Sequence, residues 1–133
     1  MTRVHRSVAD CPTIIPLFPL ATTLLLPRGR LPLNIFEPRY LTMIDDALGA
    51  KRFVGIIQPD TNSDDDDDGE APLYKVGSLG RITRFTELED GRYIISLTGV
   101  VRFRIIEELS ARTPYRQARV DFSPYVVDFT ARA

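Results

Sequence analysis

The chain has 133 residues, 44% of them hydrophobic, with 17 basic against 18 acidic side chains and a net charge of −1. That length suits one domain with one modest core, and the near balance of charge excludes a global field that would draw in nucleic acid or acidic substrates. The lone cysteine, Cys11, excludes an internal disulfide and a multi-cysteine metal centre, and no run approaches the roughly 20 apolar residues needed to span a membrane as a helix.

Residues 1–12 show no periodicity and read as a mobile tail. Arg3 and Arg6 precede an apolar stretch, yet prolines break that stretch and no small-residue cleavage site follows, which argues against a secretory signal. From Ile15 the chain reads IPLFPLATTLLLPRGRLPLNIFEPRY. Pro16, Pro19, Pro27 and Pro32 interrupt it too often for a helix, because each lacks an N–H and clashes with the preceding turn. The pattern predicts strands at about 14–18 and 31–35, joined by a loop at Pro27-Arg28-Gly29. Phe36-Glu37-Pro38-Arg39-Tyr40 then reads as a strand passing into a helix, with Pro38 at the first helical position and Glu37 at the helix's positive end. The helix is predicted over about 38–48, with Tyr40, Leu41, Met43, Ile44, Ala47 and Leu48 on its apolar side. Gly49 is its stop signal.

Phe53 to Ile57 is a continuous apolar run of strand length and composition, hence a buried strand. Residues 60–72 hold five consecutive aspartates, Asp64 to Asp68, whose mutual repulsion predicts a solvated loop. The run does not read as a calcium loop, since the carboxylates are contiguous and Glu70 directly follows Gly69. Leu79 to Leu88 is the next predicted strand, and Asp90-Gly91 supplies the turn residues of a tight hairpin. Tyr93, Ile95 and Leu97 share one face of the returning strand. Gly99 permits a bulge or sharp bend, after which Val101, Phe103 and Ile105 face inward and Arg102 and Arg104 outward. Tyr115 to Phe122 closes the set, with Ala118, Val120 and Phe122 on the buried side. The reading is a mainly β, α+β domain: about six strands in a coiled, partly closed β-barrel with one packed α-helix.

Three ordered motifs carry a resemblance to a known family. The PLFPL strand with the LPLNIFEPRY strand and helix, the glycine-spaced Val76 to Ile82, and the Asp90-Gly91-Arg92 to Arg102-Phe103-Arg104-Ile105 hairpin resemble the amino-terminal domain of Lon proteases over roughly residues 13–124. The resemblance implies a PUA-like barrel at residues 13–124, and makes 125–133 the approach to a missing or truncated helical half. It also makes Pro16, Phe18, Pro19, Phe36, Glu37, Pro38, Arg39, Tyr40, Gly77, Gly80, Gly91, Gly99, Arg102 and Phe103 family-motif residues, read here as mainly architectural. Glu37 and Arg39 are expected to pair with groups on the Arg102/Arg104 strand.

No catalytic set emerges from the residues. His5 is the only histidine and lies in the tail, there is no phosphate-binding GxxxxGK[ST] loop, and the pairs Asp45/Asp46, Glu87/Glu89 and Glu107/Glu108 sit on element surfaces. No metal or cofactor is expected. Three successive leucines, Leu24, Leu25 and Leu26, cannot all face a core from an irregular segment, so they form the candidate protein-binding patch. The expected function is a non-catalytic, cytoplasmic interaction module for unfolded or degron-bearing polypeptides, with self-association or a protease partner as further roles. Two alternatives stand beside it. The chain is part of a complete ATP-dependent Lon-type serine protease, or it is an RNA-binding PUA-like barrel drawing on the nine basic residues within 75–120. The aromatic residues do not interleave with those arginines as a base-stacking platform requires, which disfavours nucleic acid.

Overall fold

The computed structural model describes residues 10–21, 23–60 and 71–129. Six strands form one sheet: β1 (Ile14–Pro19), β2 (Arg30–Ile35), β3 (Phe53–Ile57), β4 (Val76–Glu87), β5 (Tyr93–Leu109) and β6 (Gln117–Asp121), with one helix, α1 (Pro38–Leu48), between β2 and β3. The sheet order is β2-β5-β4-β3-β1-β6, and β5 also pairs with β6, so β5, β4, β3, β1 and β6 close on one another as a ring. All pairings are antiparallel except β1 with β3.

Closure depends on the length of β5. Its first half pairs with β2, from Tyr93↔Ile35 to Thr98↔Arg30, and its second half with β6, from Arg104↔Asp121 to Leu109↔Gln117. Between them, Gly80 faces Gly99 while Leu79 faces Val101, so one extra residue on β5 makes a bulge at the predicted position. Such a bulge bends the strand and lets it serve two neighbours that lie in different directions.

The ring has two apolar layers. Inside it, Ile15, Leu17, Phe53, Ile57, Leu79, Val101, Phe103, Ala118, Val120 and Phe122 pack together. On the other face, Val54, Ile56, Ile82, Ile95 and Leu97 receive Tyr40, Met43, Ile44 and Ala47 from α1. β3 therefore alternates its side chains between two buried layers, which is why its sequence is apolar without interruption. Fully burying Met43 and Ile44 stabilises the helix docking by roughly 1.5–3 kcal/mol each. Two tyrosines fix it further: the Tyr93 hydroxyl donates to Asp45 at 2.8 Å and the Tyr115 hydroxyl to Asp46 at 2.6 Å. These bonds, with burial leading at Tyr115, raise both phenol pKa values.

Several details differ from the sequence expectation. Cys11, assigned to the tail, is buried in the ring, and that burial lifts its thiol pKa to about 11. β4 begins at Val76, three residues early, because its first residues pair with Arg104, Phe103 and Arg102. Gly49 follows the last helical residue but keeps a right-handed backbone, and the left-handed turn falls on Arg52 (φ 71°). Tyr115 lies ahead of β6, where its carbonyl accepts from the Thr113 hydroxyl at 2.7 Å and its own hydroxyl reaches α1. The aspartate run lies outside the described residues. Its flanks are pinned by a Pro59–Leu73 bridge and by the Asp60 N–H donating to the Pro72 carbonyl at 2.7 Å.

Candidate functional site

The segment between β1 and β2 is held against the bulge of β5 by glycine. A Cβ on Gly99 would overlap the Leu26 carbonyl oxygen, and one on Gly80 would lie 2.8 Å from the Leu25 side chain. The bare backbones let the segment close to hydrogen-bonding distance. The Arg28 N–H donates to the Gly99 carbonyl and the Gly99 N–H to the Gly29 carbonyl, each at 2.8 Å. Arg28 takes a left-handed backbone (φ 65°) to make this crossing.

The crossing sorts the three leucines. Leu25 points into the layer beneath α1 and is 3% exposed, which corrects the expectation of a three-leucine patch. Leu24 and Leu26 point outward, 76% and 67% exposed. An extended segment alternates its side chains, so the middle residue is taken by the core and its neighbours are left in solvent.

Leu24 and Leu26 line a groove of about 780 Å³. Residues 23–28 contribute to it together with Ile56, Ile57 and Gln58 from the end of β3 and residues 74–78 from the start of β4. Tyr74 and Val76 add further exposed apolar surface. The Gln58 side-chain amide donates to the Thr23 carbonyl at 3.1 Å, tying the leucine segment to β3. Gly77 is required from the opposite side: a Cβ there would lie 2.5 Å from the Ile56 carbonyl and 2.7 Å from the Phe103 ring.

Arg102 and Asp128 close one end of this groove. Residues 123–129 form two short 3-10 turns across a kink at Tyr125 and pack back onto β5. The Asp128 carboxylate, 5% exposed, accepts from the Arg102 backbone N–H at 2.9 Å and from its guanidinium at 3.1 and 2.9 Å. Burial alone would raise the Asp128 pKa, but the bonds from Arg102 outweigh it and hold the carboxyl below its usual range. The Arg102 guanidinium also stacks over the Tyr125 ring, 4.9 Å from its centroid. Arg28 donates to the Phe129 carbonyl at 3.3 Å. No local pattern marks this latch, because its partners are 26 residues apart.

The other motif residues fall elsewhere. Phe18 is buried with its ring 4.3 Å from that of Tyr40, and Pro16 and Pro19 are half-buried on β1. Phe36 is 63% exposed. Glu37 precedes α1 with an extended backbone and makes no capping hydrogen bond; it pairs with Arg39 at 3.2 Å, not with the Arg102/Arg104 strand. Local geometry explains that correction, since two residues suffice to bring the pair together at the helix start. Pro38 opens the helix, and Gly91 takes the left-handed backbone (φ 92°) of the β4–β5 turn. Phe103 is fully buried at the centre of the ring. Among the described residues, no group of three or more His, Cys, Asp or Glu is placed to hold a metal, and no helix is long and apolar enough to cross a membrane.

A ring-closed β-sheet with a single docked helix and an apolar groove at one rim defines the class, a β-rich α+β domain. Residues 14–128 match the model of the ATP-dependent protease La (LON) substrate-binding domain, and the chain belongs to that family. It is 31% identical over 112 residues to Lon protease 2 of Myxococcus xanthus and 32% identical over 111 residues to Lon protease 2 of Sorangium cellulosum. Those matches cover 84% and 83% of this chain but only 13% and 14% of the relatives. The fold is similar to a Lon N-terminal domain protein from Xanthomonas campestris, with a TM-score of 0.65 at 28% identity, covering 84% of this chain and 60% of that one. It is also similar to the N-terminal domain of Mycobacterium avium complex Lon protease, with a TM-score of 0.62 at 15% identity over 82% of this chain and 54% of that one, a likeness of fold alone. The match thus falls on the non-catalytic substrate-binding domain and does not extend to the family's ATPase and peptidase modules.

Proposed function

We propose that the chain captures unfolded or degron-bearing polypeptides in the groove beside Leu24 and Leu26, for delivery to an ATP-dependent peptidase in the cytoplasm. The observation that carries this reading is the fixed exposure of those two leucines, held over Gly99 at the rim of an apolar groove. A protein that keeps large apolar side chains in solvent on a tethered segment forgoes burial it could otherwise gain, and such patches mark contact surfaces. The groove is short, so affinity for one segment is weak, in the micromolar range or poorer.

The ion pairing of the basic strands supports polypeptide over RNA. Arg92 pairs with Asp90, Arg102 with Asp128, Arg116 with Glu108 and Arg119 with Glu107. Arginines engaged in this way offer phosphates less than their number suggests. Titrating the chain with a denatured model protein and with a single-stranded RNA, at low and high salt, tests the reading. Polypeptide binding is expected to survive high salt, whereas an Arg–phosphate interface loses affinity steeply. Tight RNA binding with no polypeptide binding would overturn the proposal.

A further inference from the structure

Among the described residues, the lining of the groove carries a net positive charge. Arg28 and Lys75 both line it and are exposed, and Arg102 lines it at the latch. The one carboxylate among the described lining residues is Asp128, and both its oxygens are taken by Arg102. Arg104 lies across from Val76 in the β4–β5 ladder but also across from Asp121 in the β5–β6 ladder, where its charge is met by that carboxylate, so the positive surface rests on Arg28 and Lys75. Arg28 spends one guanidinium nitrogen on the neutral Phe129 carbonyl, and its charge also acts on Asp128, whose carboxylate is already engaged by Arg102.

We infer that the groove selects apolar segments flanked by carboxylates, that is, acidic-flanked hydrophobic peptides over neutral or basic-flanked ones. This rests on the polypeptide-binding reading and adds charge selectivity to it. Leu24, Leu26 and Tyr74 supply the apolar contact that any hydrophobic segment would use. Arg28 and Lys75 add attraction for acidic flanks and repel lysine or arginine, and a like-charge mismatch is a recognised way for an interface to reject partners. Because these cations are exposed, each contributes modestly, and the preference is expected to be about three- to tenfold at low salt. It fades as salt screens charges at the surface, while the apolar contribution persists.

The test uses three synthetic peptides with one apolar centre and flanks of aspartate, serine or lysine, titrated by fluorescence anisotropy at low and high salt. The expected order is aspartate, then serine, then lysine at low salt, converging at high salt. Lys75→Glu, or Lys75→Gln should the first fold poorly, is expected to remove or reverse the order of the three peptides relative to one another. Arg28→Gln is a second arm, read only after circular dichroism shows the fold intact. Equal binding of all three peptides, lost on Leu24→Ser, would leave the groove reading standing and overturn the charge selectivity. An aspartate preference unchanged by Lys75→Glu and Arg28→Gln would also overturn it. No binding of any peptide would remove the groove reading and this inference together.

Discussion

The carbonyl of Leu26 occupies the space that a side chain on Gly99 would fill. The contact joins the loop between β1 and β2 to the bulge of β5, and two backbone hydrogen bonds flank it, from the Arg28 N–H to Gly99 and from the Gly99 N–H to Gly29. One absent methyl group therefore holds both the bend that closes the ring and the exposure of Leu24 and Leu26.

Gly99→Ala is expected to destabilise the domain by about 1 to 3 kcal/mol, because backbone has to shift to admit the methyl. Polypeptide affinity is expected to fall as well, since the leucine segment loses its seat. Urea denaturation with a parallel binding titration checks both. A variant of unchanged midpoint would mean that the segment is not held at Gly99.

Phe103→Ala is expected to cost roughly 3 to 5 kcal/mol, as Phe103 is fully buried where β3, β4 and β5 face one another inside the ring. That is a large part of the stability of a domain this size. A soluble variant unfolding at the same midpoint would place Phe103 on the wrong face of β5.

How much of this was legible in the sequence depends on the range over which each feature is determined. The alternation of Val101, Phe103 and Ile105 and the unbroken run Phe53–Ile57 are local patterns, and both gave the right strands and faces. Gly99 was readable as a bend, but not as the seat of Leu26, because only the folded ring brings residues 26 and 99 together. For the same reason the leucines read as one patch, whereas Leu25 belongs to the layer under α1. The pairing of Arg102 with Asp128 was invisible, since it depends on residues 123–129 folding back onto β5. Glu37 and Arg39 pair with each other, two residues apart, and not with the Arg102/Arg104 strand.

Asp128 gives a pH dependence whose sign follows from the direction of its shift. Its folded-state pKa lies below the unfolded value, so the stabilisation is fully present above the unfolded carboxylate pKa, roughly 4, and is lost as pH falls through the lower folded value. Asp128→Asn is expected to lose about 1 to 3 kcal/mol at neutral pH, since it breaks a set of charge-assisted bonds to a half-exposed arginine. The loss should shrink in acid, where the wild-type carboxylate is also protonated. Thermal midpoints measured from pH 7 downward check this. A loss that stays constant with pH would show that the charge of Asp128 is not what stabilises the latch.

Replacing Asp64 to Asp68 by a Gly-Ser linker is expected to leave the thermal midpoint nearly unchanged or to raise it slightly, as like-charge repulsion is relieved. The residues on either side of the run are joined by the Pro59–Leu73 bridge. A loss above roughly 2 kcal/mol lies outside the range of surface changes and would assign the run a structural or ion-binding role.

The most direct measurement is the affinity of a Leu24→Ser, Leu26→Ser double variant for a denatured model protein, read beside its unfolding midpoint. Both leucines are exposed, so the fold should survive with a midpoint close to that of the parent chain. The account predicts that binding weakens about tenfold or more while stability holds, because the apolar contact is removed and the framework is not. Unchanged affinity in a folded double variant would contradict it and move the binding surface away from this groove.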